Sequence, residues 1–156
     1  MPVIFVIENN KYGMGTSVNR SSAGDNLSDR GKAYGIVADI VDGMDVIAVR
    51  DAALKAMDYC RSGKGPYILE MKTYRYRGHS MSDPAKYRTR DEVDEIKQKS
   101  DPINNIKSIL DKFGLKDESL KVIDTEIKSI VANAATFAQE SLEPSEAELF
   151  TDITIN

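Results

Sequence analysis

The sequence predicts an α/β protein built on a parallel sheet and followed by a helical C-terminal region, and three of its features say so. Val3-Ile4-Phe5-Val6-Ile7 is an unbroken apolar run leading into Glu8-Asn9-Asn10-Lys11-Tyr12-Gly13, the pattern of a strand covered on both faces and opening into a loop. Strand and helix signals then alternate as far as Tyr74, the order that a parallel sheet with crossover helices requires. Beyond Arg90 apolar residues recur at three- and four-residue steps, the spacing of amphipathic helices.

Composition narrows the function classes. Of 156 residues, 41% are hydrophobic and 29% charged, and the formal net charge of -4 argues against a nucleic-acid partner. Cys60 is the only cysteine, which excludes a disulfide framework and a thiolate metal cluster and fits a reducing compartment. No apolar run approaches the roughly 20 residues that span a bilayer. The opening run also lacks a basic leader and a small-residue cleavage site, so no membrane role is expected.

Taken in order, residues 3–7 form the first strand, and in a parallel sheet ligands bind beyond the carboxyl ends of strands, where residues 8–15 lie. Residues 16–30 are rich in Ser, Asn, Asp and Gly and read as a long loop, a length that is uncommon in compact domains unless functional. A short helix is expected over 29–36. Gly43 then supplies a turn before a strand over 46–49, and Asp51 starts a helix with Ala52, Leu54, Ala56, Met57 and Cys60 inward, stopping near Gly63. Residues 67–74 form the third strand, so the sheet is thin and its neighbours must come from other sequence.

Residues 75–90 are a second loop, rich in Arg and carrying His79, the only histidine. Thr89-Arg90-Asp91-Glu92 has the spacing of a capping box, and Asp101-Pro102 offers a cap with Pro at the first helical position. Ile103, Ile106, Leu110 and Phe113 make an apolar stripe ending at Gly114, and Leu120, Ile123, Ile127, Ile130, Val131, Ala134 and Ala138 make a longer one, which reads as packing. From Glu143 onward the chain is acidic and is expected to be a loose tail or a partner-docking end. Two regions result: 1–90, an α/β part with an active-site loop, and 91–156, a helical part.

Two loops can carry chemistry. Asn9-Asn10-Lys11-Tyr12-Gly13 reads either as a turn held by Asn side chains or as an amide oxygen offered to a hard cation, and Mg²⁺ suits few protein ligands together with phosphate oxygens and water. Arg77-Gly78-His79-Ser80 reads either as a surface loop or as an imidazole beside Arg75 and Arg77, whose charge suits an anionic ligand. The two strand ends would open on one crevice.

The runs Ile7 to Ser17, Val41-Asp42-Gly43-Met44-Asp45, Cys60 to Pro66 and Tyr74 to Pro84 closely resemble the alpha subunits of the decarboxylating component of pyruvate dehydrogenase. That resemblance implies a thiamine-diphosphate-binding fold, thiamine diphosphate and Mg²⁺ as cofactors, and an α2β2 assembly with a beta subunit. The implied reaction decarboxylates pyruvate and acetylates the lipoyl group of the dihydrolipoyl acetyltransferase. By position, Asn10 matches the Mg²⁺ ligand and Tyr12 the residue whose carbonyl also binds the metal; both therefore match cofactor-binding positions. His79 matches the active-site histidine near the diphosphate and the substrate. Arg75, Asp83, Tyr87 and Arg88 match a loop that becomes ordered with cofactor and meets the lipoyl domain. Ser80 and Ser17 match serines phosphorylated in mitochondrial relatives, while the place of a third is taken by Lys86 in a loop one residue shorter.

The Gly-Asp-Gly half of the family's cofactor motif would precede Asn10, so the chain is expected to hold the C-terminal portion of such a subunit. Activity would then require the N-terminal half and the beta subunit, which carries the family's catalytic glutamate. Acetoin and branched-chain 2-oxo acid dehydrogenases are related alternatives, with Gly78 to Pro84 favouring pyruvate; a truncated, non-catalytic assembly module is another. The altered loop points to a bacterial, cytoplasmic enzyme, and a eukaryotic one would belong in the mitochondrial matrix.

Overall fold

The computed structural model describes residues 1–152. It divides into two compact units, Met1–Leu110 and the chain from Asp111 onward. In the first, the strands β1 (Ile4–Asn9), β4 (Val37–Asp42) and β5 (Tyr67–Lys72) form a parallel sheet in the order β1-β5-β4. Ile4 pairs with Tyr67, Asn9 with Lys72 and Val37 with Tyr67, so all three strands end at the same level. The α/β class expected from sequence is what the structure has.

The central strand β5 explains the layering. Its side chains alternate between faces: Tyr67 and Leu69 pack with Ala56 and Cys60 of helix α2 (Val46–Arg61), while Ile68 faces the 3-10 helix Leu27–Tyr34, whose Gly31 admits no Cβ because Ile68 Cδ1 and the Ile36 carbonyl fill the space. Leu69 and Tyr67 are each 1% exposed and anchor the core. The two outer strands are barer: Phe5 and Val6 of β1 and Val37 and Ile40 of β4 lie exposed.

The expected strand over 46–49 is a helix, and the expected helix over 51 onward is its continuation. The strand of this region is instead Val37–Asp42, where no strand is expected from sequence. Val46, Ile47 and Val49 are β-branched, which suggested extended chain, but Asp45 decides the matter: its Oδ1 accepts from the backbone N–H of Ile47 at 2.9 Å and of Ala48 at 3.0 Å. Capping thus starts α2 at Val46, well before Asp51. Gly43, at the turn, has no room for a Cβ against Thr73.

The 16–30 stretch is not loop throughout. Tyr12–Gly13 (β2) and Thr16–Ser17 (β3) form a small antiparallel hairpin, followed by one helical turn, α1 (Val18–Ser21). The short helix expected over 29–36 is the 3-10 helix, two residues earlier. Helices α3 (Arg90–Ser100) and α4 (Pro102–Lys112) start where their caps predict: Thr89 Oγ1 accepts from Glu92 N at 3.2 Å, and Asp101 Oδ1 from Ile103 N and Asn104 N, both at 3.0 Å. The capping box is half used, because the Glu92 side chain accepts from the Tyr74 hydroxyl at 2.7 Å instead of reaching back.

In the second unit, α5 (Asp117–Glu140) is the predicted long helix, but Ile123, Ile127, Ile130 and Val131 lie exposed along it, so the packing expected of that stripe is not made within the described residues. A 3-10 turn, Glu146–Phe150, interrupts the expected tail, whose residues 153–156 lie outside the described residues. No described helix is long and apolar enough to cross a membrane.

Candidate functional site

The carboxyl end of the sheet carries the candidate site, and the β1–β2 turn is its first wall. Asn9, the last residue of β1, is 7% exposed and holds the turn from inside: its Oδ1 accepts from Lys11 N at 3.2 Å, and Lys11 takes a left-handed φ of 69°. Asn10 N–H donates to Glu8 O at 3.1 Å. Among the described residues the half-buried Asn10 side chain has no protein partner, so its amide oxygen is free to meet a ligand. Of the two adjacent asparagines, then, Asn9 does the turn chemistry and Asn10 is spare.

Tyr12 is presented by the hairpin. Val18 N donates to Lys11 O at 2.9 Å and Tyr12 pairs with Ser17, which makes Tyr12–Ser17 a non-hydrogen-bonded pair of the antiparallel ladder. In such a pair the backbone N–H and C=O point away from the partner strand, so the Tyr12 carbonyl is directed outward. A neutral amide oxygen and a main-chain carbonyl are hard oxygen donors of the kind Mg²⁺ takes, alongside waters and phosphate oxygens. Asn10 and Tyr12 fit such an ion on that ground, with the remaining positions left to other donors. Among the described residues no cluster of three His, Cys, Asp or Glu could hold a metal.

The second wall is the 75–90 loop, which is stitched to the first. Arg75 donates to Met14 O at 2.6 Å and to the Tyr87 hydroxyl at 3.1 Å, and its other terminal nitrogen meets His79 Nδ1 at 3.3 Å. A guanidinium only donates, so Nδ1 is the acceptor in this contact. Asp83 sets the backbone: it accepts from His79 N at 2.7 Å, Ala85 N at 2.8 Å and the Tyr87 hydroxyl at 2.9 Å. The backbone donors His79 and Ala85, chiefly, hold its carboxyl below the usual carboxylate range. Gly78 has no space for a Cβ, which would fall 2.5 Å from the Asp83 carbonyl.

Arg88 closes the loop from within. Its terminal nitrogens donate to the carbonyls of Arg75 and Arg77, and its guanidinium lies 5.1 to 5.8 Å from the ring centres of Tyr74, Tyr87 and Tyr12. Tyr87 also packs on Tyr12, ring centres 5.1 Å apart and tilted by 43°, and a Cβ on Gly15 would sit 2.9 Å from its ring. Tyr74, 7% exposed beneath, has its hydroxyl pushed up to about 12 by burial and by its bond to Glu92. Arg75, Asp83, Tyr87 and Arg88 thus form the loop's own frame, while Arg77 and Arg90 stand exposed.

Two clefts flank this frame. One, of about 280 Å³, is lined by Met14, Gly15, His79, Ser80, Ser82, Asp83 and Tyr87, with the Ser80 and Ser82 hydroxyls 3.0 Å apart. The other, of about 250 Å³, is lined by Asn9, Lys11, Tyr12, Ser17, Val18, Asn19, Asp25 and Lys72. Tyr12 and Ser17 therefore share one cleft, His79 and Ser80 the other, and Asn10 lines neither. A third cleft, beside the start of α2, is lined by Asp45, whose carboxylate is already committed to capping.

Sequence reading missed Glu70. It is 0% exposed, accepts from Asn9 Nδ2 at 2.7 Å and from Ser28 N at 2.8 Å, and so joins β5, β1 and the 3-10 helix. Burial pushes its carboxyl up, but the bonds from Asn9 and Ser28 and the charge of Lys72 outweigh it and leave the value lowered. The available signal was a single acid inside the apolar run Tyr67-Ile68-Leu69-Glu70-Met71, where a charge must be paired.

Comparison with known proteins gives consistent results. The family model described as dehydrogenase E1 component matches residues 1–147. A pyruvate dehydrogenase E1 component subunit alpha of Rhizobium meliloti is 56% identical over 156 residues, covering 99% of this chain and 45% of that protein. The protein of the same name from Zymomonas mobilis is 53% identical over 155 residues, 99% of this chain and 44% of that one. The human mitochondrial somatic form is 49% identical over 151 residues, 96% of this chain and 38% of that one. The chain spans less than half the length of these relatives.

Proposed function

This chain belongs to the dehydrogenase E1 component family, and we propose that it forms part of the alpha side of a pyruvate dehydrogenase active site that binds thiamine diphosphate and Mg²⁺. Joined with the remaining part of such a subunit and with a beta subunit, it would serve decarboxylation of pyruvate and acetylation of a lipoyl group carried by an acetyltransferase. The observation that carries the reading is the outward Tyr12 carbonyl two residues along the chain from the spare Asn10 amide, held on the same frame as His79 through Arg75 and Tyr87. Domain roles follow the same line: residues 1–90 carry the cofactor wall and its loop, and 91–156 the helical part.

Thiamine diphosphate, when bound, supplies the carbanion chemistry. The residues of this chain bind and orient. Asn10 and Tyr12 would give neutral oxygens to the metal, leaving its charge to the diphosphate. His79, whose Nδ1 meets Arg75, lines its cleft as a polar group for an anionic ligand, and the basic loop adds positive charge there. The loop framed by Arg75, Asp83, Tyr87 and Arg88, on which Arg77 is exposed, would meet a lipoyl domain. A phosphate on Ser80, beside His79 in that cleft, would add about two negative charges where an anion must sit; Ser17, across from Tyr12, is the second candidate for modification. The compartment is the cytoplasm for a bacterial protein and the mitochondrial matrix for a eukaryotic one.

The test uses an assembled alpha–beta enzyme. Asn10→Ala should raise the Mg²⁺ needed for half-saturation, and His79→Ala should impair acetyl transfer to lipoyl more than cofactor binding. Unchanged Mg²⁺ dependence with Asn10→Ala would sink the metal assignment, and a reversed ranking for His79→Ala would sink the histidine's role.

A further inference from the structure

The fully buried Glu70 carboxylate has no place in the proposed chemistry, yet it stands behind the turn that presents Asn10 and Tyr12. We propose that Glu70 is a positioning residue for that turn: it fixes which way the Asn9 amide faces, and Asn9 in turn fixes Lys11. The inference rests on the reading of Asn10 and Tyr12 as metal ligands, and its first step stands on geometry alone.

A carboxylate can only accept, so the Asn9 group facing Glu70 Oε1 at 2.7 Å is the NH₂. The Asn9 oxygen is thereby aimed at Lys11 N, 3.2 Å away. Without Glu70 the amide could rotate by half a turn, placing its NH₂ against the Lys11 N–H and removing the acceptor that supports Lys11 at a φ of 69°. Lys11 O receives Val18 N, and that bond sets the hairpin phase in which Tyr12 C=O points outward. The second Glu70 oxygen, accepting from Ser28 N, prevents the carboxylate from swinging away. Hydrogen bonds therefore link a buried acid on the central strand, through Asn9, to the backbone of Lys11, the residue that precedes Tyr12.

In Glu70→Gln one end of the side chain becomes a donor, so it confronts either Asn9 Nδ2 or Ser28 N, both donors. In Asn9→Asp two carboxylates meet. In the double variant, Asn9→Asp with Glu70→Gln, the amide now at position 70 donates to the carboxylate now at position 9 and still accepts from Ser28 N. The other carboxylate oxygen at position 9 still accepts from Lys11 N, so every bond is restored with the charge moved across to β1.

Two measurements test this. In the full chain, ¹⁵N-resolved hydrogen exchange of the Lys11 amide should accelerate in each single variant and return toward wild type in the double variant. In the assembled alpha–beta enzyme, calorimetric titration with Mg²⁺ in the presence of thiamine diphosphate should show weaker binding for Glu70→Gln, by less than the roughly 10- to 100-fold lost when a direct partner of a metal ligand is removed. The double variant should recover most of it. A Lys11 amide indifferent to Glu70→Gln, or a double variant as impaired as the singles, overturns the proposal; where a single variant is too unstable to assign, the double variant decides. Asn10→Ala separates the two readings: if it leaves Mg²⁺ binding intact, the metal assignment falls, while the Lys11 exchange still reports on Glu70.

Discussion

Replacing Arg88 by Lys should loosen the 75–90 loop without unfolding the sheet. The guanidinium makes two charged bonds to carbonyls, of Arg75 and Arg77, and approaches three tyrosine rings. Bonds to charged groups contribute roughly 1.5–3 kcal/mol each, and a lysine retains one of the two. Ring contacts at partly exposed sites add about 0.5–1 kcal/mol each, of which lysine keeps a share. Against these losses stands a gain, because Arg88 Nε is buried with no partner and a lysine carries no such atom; leaving a donor unpaired costs roughly 1–3 kcal/mol. The balance is a loss of about 1–2 kcal/mol in loop closure, or roughly a 5- to 30-fold larger open population. Amide hydrogen exchange reads it directly, since His79 N and Ala85 N donate to Asp83 only while the loop is closed. Their exchange should accelerate by that factor while the β5 amides stay unchanged. Equal rates in variant and wild type would refute the inward role of Arg88, and an equal acceleration in β5 would show that Arg88 acts on global stability instead.

Three further outcomes follow from the fold. Leu69→Ala, at a position 1% exposed between Ala56, Cys60 and Tyr67, should cost about 2–5 kcal/mol in urea unfolding, and a cost well under about 1 kcal/mol would contradict the assigned core. Asp45→Ala removes the acceptor for Ile47 N and Ala48 N and should cost about 0.5–2 kcal/mol, with exchange fastest at the first turn of α2; protection there that survives the substitution would argue against the cap. The lowered Glu70 carboxyl means that the folded state binds its proton less readily than the unfolded chain. Its contribution is therefore complete above the unfolded value of about 4.3 and is lost as pH falls through the lower folded one, so urea midpoints of wild type should fall more steeply than those of Glu70→Gln between about pH 5 and 3. Parallel pH profiles would remove Glu70 from the acid response.

The sequence by itself determined whatever depends on neighbours along the chain. The strands expected over 3–7 and 67–74, observed as Ile4–Asn9 and Tyr67–Lys72, were legible in the main because parallel strands need continuous β-branched or aliphatic side chains. The starts of α3 and α4 were legible because Thr89 and Asp101 each bond to amides two or three residues ahead. The two site-bearing loops could be placed for the same reason, since each follows a strand that announces its own end.

Tertiary structure decided the rest, where the partner lies far along the chain. The local β preference of Val46, Ile47 and Val49 gave the wrong element because the Asp45 cap and the burial of Ala56 and Cys60 against β5 outweigh it. Which of Asn9 and Asn10 is spare depends on Glu70, 61 residues beyond Asn9, and the path from the first loop to His79 depends on Arg75 bonding Met14 across another 61. Arg88 could be placed from sequence only in a basic loop, and it is turned inward because two loop carbonyls and the rings of Tyr12, Tyr74 and Tyr87 converge on it. Charges and amides take their roles from distant acceptors, and only the folded chain brings those acceptors within about 3 Å.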